Sequence, residues 1–215
     1  AQFYESENTL DCMSVIQKII EKEGIFDILY VDKAGVFGGN KRQGFCQLEE
    51  ACKQVGIQIV YAHTAEAKGR IERLWKTLQG RIIPEMRIAG IETKKQANKF
   101  LMDHYIPNEY NKKFLVDPIS TESSYKMNCH KNLNEIFTVK EHRNVNGDQT
   151  FNYNRAKYLI TDFPGNLRNK MIEIRVYQNR SIKFFWADQE INVVNIVKRF
   201  DFSRADDWKI IIYQS

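Results

Sequence analysis

The sequence predicts an α/β layered core over residues 1–117 and a small all-β barrel over residues 136–200, with a linker at 118–135 and a tail at 201–215. Two observations carry this reading. Through the first half, short apolar runs alternate with segments whose apolar residues recur at helical spacing, in the order strand, helix, strand, helix, strand, helix that layers helices on a sheet. Beyond residue 135 the period drops to two and polar turn residues interrupt it at short intervals.

Taken in order, "AQFYE" at the start alternates like a strand. "NTLDCMSVIQKIIEKEG" sets Leu10, Met13, Ile16, Ile19 and Ile20 on one helix face, with Asn8 and Asp11 to cap its start and Gly24 to end it. "FDILYVD" is a strand-length apolar run closing on Asp32, followed by the glycine-rich loop "KAGVFGGNKRQG" and a second helix, "FCQLEEACKQVG". "IQIVYAH" reads as another buried strand, expected to pair with the others in one sheet. In "AHTAEAKGRIERLWKTLQGR" the residues Ile71, Leu74, Trp75, Leu78 and Ile82 form one apolar stripe, predicted as core with Trp75 included. A last helix of this half carries Ala97, Phe100, Leu101 and Tyr105 and is expected to close before Pro107.

From Pro118 to Asn134 the periodicity fades into an exposed connector. "TFNYNRAKYLI" then reads as one hairpin and "MIEIRVYQNRSIKFFW" as a second, with Gln178, Asn179 and Arg180 near its tip. Ile172, Ile174 and Val176 alternate with Glu173, Arg175 and Tyr177, one face buried and one wet. A lone hairpin is marginal, so a small barrel is the natural closure. "IIIY" in the tail is a candidate extra strand.

Composition narrows the function. At 215 residues with 43% hydrophobic, the chain can bury a real core, and no apolar run approaches the roughly 20 residues of a membrane span. No membrane association and a cytoplasmic location are expected, since no signal-peptide pattern opens the chain. Cys12, Cys46, Cys52 and Cys129 form no CxxC pair and stand at no zinc-finger spacing from a histidine. A net charge of +5 suits a polyanionic partner without demanding one. Gly35, Gly38 and Gly39 with Lys33, Lys41 and Arg42 match no phosphate-loop pattern and read as a site-rim or surface loop.

Asp32 ends a strand, and Glu72 sits in a helix that follows the next strand, so both can converge at one sheet edge. Two carboxylates there suit Mg²⁺, a hard ion that takes oxygen ligands. Lys68, Arg70, Arg73 and Lys76 around Glu72 would then neutralise backbone phosphates. The ordinary alternative is a surface helix in which Glu72 pairs with Lys76 four residues on. Spacing leaves both open, as it leaves open whether Arg175, Arg180, Lys183 and Tyr177 form a DNA surface or a solvated hairpin face, and whether His63 lies near substrate or merely packs its loop.

"LYVDKAGVF" followed by "GIQIVYAHTAEAKGRIERLWKTLQGRIIPEMRIAGIETKKQANKFL" resembles the catalytic core of bacterial insertion-sequence transposases of the ISNCY type. The resemblance extends from Ala1 to about Tyr125 and continues into the hairpins. It implies an RNase H-like integrase core followed by an SH3-like barrel, and DNA strand cleavage and joining by two-metal phosphoryl transfer. On this likeness Asp32 and Glu72 are the catalytic, metal-binding carboxylates, with Mg²⁺ or Mn²⁺ as cofactor. Lys76 and Gln79 lie one and two turns beyond Glu72 on the DNA side, and the partners are transposon ends and target DNA, handled by a homo-oligomer at the bacterial nucleoid. The family's first Asp belongs to a strand ahead of the one matched by "AQFYE", and neither Asp11 nor Asp27 replaces it. The expectation is therefore a partial core without its first strands, impaired in catalysis and holding at best one weak metal site. The rival readings are a non-catalytic DNA-binding or subunit-interaction remnant and a purely hydrolytic nuclease.

Overall fold

A computed structural model describes residues 2–5, 8–31, 46–62, 65–117, 119–130, 132–198 and 210–213; for 65–68, 70, 71, 197, 198 and 210–213 it describes the backbone alone. The chain forms two compact units, Ala1–Phe137 and Thr138–Ser215.

In the first unit, helix α1 spans Thr9–Glu23. Asn8 caps it, its side-chain oxygen accepting the Asp11 amide at 2.9 Å, and Leu10, Met13, Ile16 and Ile20 are buried. Gly24 ends it at φ +104°, donating its N–H to the Ile20 carbonyl at 3.0 Å. Ile25 next makes an antiparallel bridge with Lys126, and the Lys126 ammonium reaches the Asp27 carboxylate at 2.5 Å. The chain continues as strand β1 (Ile28–Val31), helix α2 (Gln47–Gln54) and strand β2 (Gln58–Tyr61). β1 and β2 are parallel, in register from Ile28 against Gln58 to Val31 against Tyr61.

The expected three-strand pairing is corrected: among the described residues this unit holds a two-stranded sheet, and "AQFYE" is not a strand in it. The cause lies in a side chain. Asn98 supplies Phe3 with both ladder bonds, accepting the Phe3 amide at 2.6 Å and donating to the Phe3 carbonyl at 3.0 Å. A carboxamide carries the same donor and acceptor as a peptide group, so one residue substitutes for a neighbouring strand.

Helix α3 (Ala65–Ile88) is followed by α4 (Lys94–Phe100), which Thr93 and Gln96 start with a reciprocal capping box. The helical rod does not close before Pro107 as its sequence suggested. It continues as a π-helical segment, Leu101–Tyr110, and a final turn, α5 (Asn111–Phe114). The wider i to i+5 register, seen where the Asn111 amide reaches the Ile106 carbonyl, accommodates a residue that lacks an N–H and would clash in an α-helix. The rod folds back on α3 through Leu78, Ile82, Leu101 and Tyr105, with Phe3, Met86, Phe100, Ile106 and Tyr110 around them.

That cluster corrects the predicted apolar stripe. Leu78 and Ile82 are buried, whereas Leu74 is 38% and Trp75 51% exposed, because the packing partners of α3 gather on its C-terminal half. The short helix α6 (Leu133–Ile136) completes the unit, buried through Leu133 and tied to α1 where Gln17 donates to the Asn134 side chain at 2.8 Å.

The second unit is a nearly closed antiparallel sheet of β3 (Val139–Asn144), β4 (Thr150–Tyr153), β5 (Ala156–Asp162), β6 (Met171–Val176), β7 (Ile182–Trp186) and β8 (Gln189–Lys198), in the order β3-β6-β7-β8-β5-β4. A further strand, β9 (Ile210–Tyr213), pairs with the end of β8. The two predicted hairpins are β4–β5 and β6–β7. Asn154-Arg155 and Ala187-Asp188 turn β4 into β5 and β7 into β8 with positive φ at both central positions, the twist that two-residue hairpin loops require. Val145, Phe151, Leu167, Ile172 and Ile174 are almost wholly buried, and the rings of Phe151, Tyr158 and Phe184 lie 5.3–5.4 Å apart. Across the closing seam between β3 and β4, the Arg143 guanidinium covers the Tyr153 ring at 5.4 Å and the Tyr153 hydroxyl donates to Glu141 at 3.4 Å.

Candidate nucleic-acid interface and carboxylate site

β1 and β2 run the same way and end level, the Ala62 amide donating to the Val31 carbonyl at 2.8 Å. Asp32 follows Val31 in sequence and lies outside the described residues, as do His63 and the glycine-rich loop with Lys33, Lys41 and Arg42. α3 begins at Ala65, three residues past Ala62, so it leaves from the carboxyl end of β2.

Glu72 lies two turns into α3 with its side chain exposed, and among the described residues it makes no hydrogen bond and no ion pair. The ordinary pairing with Lys76 is not formed. Lys76 and Gln79, four and seven residues on, are exposed on the same face. Arg73 turns back on its own helix, its Nε donating to the Gly69 carbonyl at 3.0 Å. Lys68 and Arg70 belong to the first turns of α3, with side chains outside the description. α3 therefore presents an exposed carboxylate, without a partner among the described residues and flanked by a cation and an amide, on a face distinct from that of Leu78 and Ile82.

Of the two readings left open for the second unit, the structure favours the solvated face. Arg175 is held by Glu173 at 2.5 Å and Asp188 at 2.8 Å and lies 4.0 Å over the Phe185 ring. Lys183 pairs with Glu190 at 2.9 Å and stands 6.0 Å from the Tyr177 ring. These cations are neutralised within their own sheet.

The four cysteines are free thiols, with Cys46 and Cys52 buried, and among the described residues no three potential metal ligands cluster. Burial, reinforced by Cys46 and Glu49, pushes the Cys52 thiol up to about 12, so it is an inert core group. What the sequence reading missed is a cleft between α3 and the π-helical segment, lined by Arg81, Tyr105, Tyr110 and Phe114 among others. Its one sequence signal was aromatic spacing of five and then four residues, which no uniform α-helix places on one side.

The site and fold thus belong to a chain of mixed α/β and β units with a basic, carboxylate-bearing helix, and it is similar to curated proteins named as transposases. The chain is 26% identical over 199 residues, 88% of its own length, to a Sinorhizobium fredii protein named "Putative transposase y4bF". It is 32% identical over 110 residues, 47% of its length, to the "Transposase for insertion sequence IS1202" of Streptococcus pneumoniae. It spans 43% and 24% of these two relatives, less than half of either. No protein-family model matches the chain. Among the described residues no helix is long and apolar enough to cross a membrane.

Proposed function

We propose that the chain carries part of a DNA-cutting and DNA-joining protein of the insertion-sequence type, its first unit belonging to an RNase H-like core and its second an SH3-like barrel. The observation that carries this is the exposed Glu72 on α3, without an ion pair among the described residues and set beside Lys76 and Gln79, in a chain whose relatives are named transposases. The fit to a hard divalent cation rests on the same carboxylate, which no described cation neutralises. Asp32 and Glu72 would hold Mg²⁺ or Mn²⁺, which supplies activation of an attacking hydroxyl and stabilisation of the leaving oxygen at a phosphodiester. Lys76 and Arg73 would contact backbone phosphates, with Lys68 and Arg70 extending that path along the helix. Gln79 would donate to a phosphate or sugar oxygen and fix register.

A fluorescence titration of duplex DNA at several salt concentrations, paired with Mn²⁺ uptake followed by electron paramagnetic resonance, tests both halves. Affinity should fall as salt rises, with a slope reduced by about one in Lys76→Ala. Mn²⁺ uptake should be lost in Glu72→Gln. Salt-independent affinity would sink the phosphate contacts, and unchanged Mn²⁺ uptake in Glu72→Gln would sink the metal role. DNA binding without any metal uptake would leave the non-catalytic reading standing.

A further inference from the structure

The hairpin of α3 against the rod from Lys94 to Phe114 encloses a cleft of about 220 Å³, with Gly80 and Arg81 on one wall and Tyr105, Tyr110 and Phe114 on the other. Tyr105 is buried at 3% exposure, lines the cleft, and its hydroxyl makes no hydrogen bond among the described residues. Burial of the ring raises the phenol's pKa, so it stays neutral and can both donate and accept at the cleft. Phe114 is 44% exposed, its ring 5.0 Å from Tyr110 and 5.7 Å beneath the Arg81 guanidinium. Gly80, interior to α3, has nothing within 4 Å of where a Cβ would stand, so no contact within the described chain repays its poor helix propensity. The Tyr105 wall belongs to a ten-residue π segment, a geometry that is uncommon and frequent at functional sites.

The chemistry narrows the ligand. A purely anionic group would meet Glu85 and Glu109, and a purely cationic one would meet Arg81 and Lys113. A flat, neutral group with donors and acceptors on its edge meets two aromatic faces, a phenol and both charge types. The volume is below that of drug-sized sites and suits one ring system. We infer that this cleft takes a single unpaired nucleobase from a DNA strand lying along α3, stacked on Phe114 and Tyr110 with its edge on the Tyr105 hydroxyl and its phosphate at the Arg81 rim. This rests on the DNA reading proposed above.

The test compares, on the full chain, a blunt duplex with the same duplex bearing a short unpaired 3′ extension. The extension should tighten binding about tenfold, as base–aromatic stacking does. Phe114→Ala and Tyr105→Phe should each remove most of that gain and leave blunt-duplex affinity unchanged. Phe114 is too exposed for its loss to unfold the hairpin, and Tyr105→Phe keeps the buried ring, so both variants stay readable. No gain from the extension, or a gain that survives both substitutions, overturns the inference. Binding of the extended strand without any affinity for blunt duplex supports the cleft while refuting the duplex contacts of α3, which separates the two ideas.

Discussion

Replacing Gly24 by alanine should loosen the start of β1, and the structure gives the size of the effect. Gly24 has φ +104° and ψ −177°, a region that is essentially glycine's alone and costs another residue about 1–3 kcal/mol. A Cβ there would stand 2.6 Å from the Lys126 carbonyl oxygen, a backbone atom that no side-chain rotation can move away. Lys126 must retreat, breaking the bridge in which the Ile25 amide donates to it at 2.9 Å and its own amide donates back at 2.8 Å. Two such bonds are worth about 0.5–1.5 kcal/mol each. Conformation and clash together should cost about 2–6 kcal/mol. Gly56→Ala is the control: φ is +85° there, but nothing lies within 4 Å of the new methyl, so only a left-handed cost of about 1–2 kcal/mol is expected. Urea unfolding gives the totals, and hydrogen exchange at the Ile25 and Lys126 amides shows whether the bridge opens. Equal costs at the two glycines, or undiminished protection at Ile25 and Lys126, would refute the clash.

Two further outcomes are expected. Leu78→Ala should cost about 2–5 kcal/mol and Trp75→Ala distinctly less, since Leu78 is buried and Trp75 half-exposed; a larger loss at Trp75 in urea unfolding would restore the continuous apolar stripe. Asp148 is held down to about 2, first by the Thr150 hydroxyl and then by Lys157, against an ordinary value of 3.8. A depressed folded pKa means the stabilisation is present above pH 4 and is lost as pH falls toward about 2. The gap in thermal midpoint between the parent and Asp148→Ala should therefore be open at neutral pH and closed near pH 2, and a gap constant across that range would contradict the linkage.

What the sequence showed well was local. Asn8 and Gly24 bracketed α1 because capping depends on neighbours within four residues, and alternation at Ile172, Ile174 and Val176 marked β6 because a strand's faces follow its own period. What escaped was decided at a distance. The Asn98 carboxamide that occupies Phe3 lies 95 residues away, and no pattern in "AQFYE" reports it. The helical stripe from Ile71 to Ile82 correctly named residues on one side of α3, yet burial also needs a partner, and the rod supplies one only for Leu78 and Ile82. Pro107 was read as a stop because an α-helix rejects it, whereas the π register tolerates it. At the candidate site, the positions of Glu72, Lys76 and Gln79 on one face were legible from spacing. That Glu72 lacks the Lys76 ion pair was not, since i, i+4 spacing permits the pair without enforcing it.

The second unit hangs on one strand. β8 pairs with β7 over Gln189–Ile191 and with β5 over Asn192–Ile196, so among the described residues the strand pairing that joins the half-sheet β3-β6-β7 to the hairpin β4-β5 runs through it alone. During synthesis the β4–β5 hairpin can close as soon as it leaves the ribosome. The sheet cannot join until β8 has emerged, and a product ended just short of Gln189 would carry two pieces not paired to each other, with open edges, the exposed backbone from which aggregates grow. A ribosome stalled at that point holds the most sticky form of this unit, and translation speed through residues 189–198 sets how long that form persists.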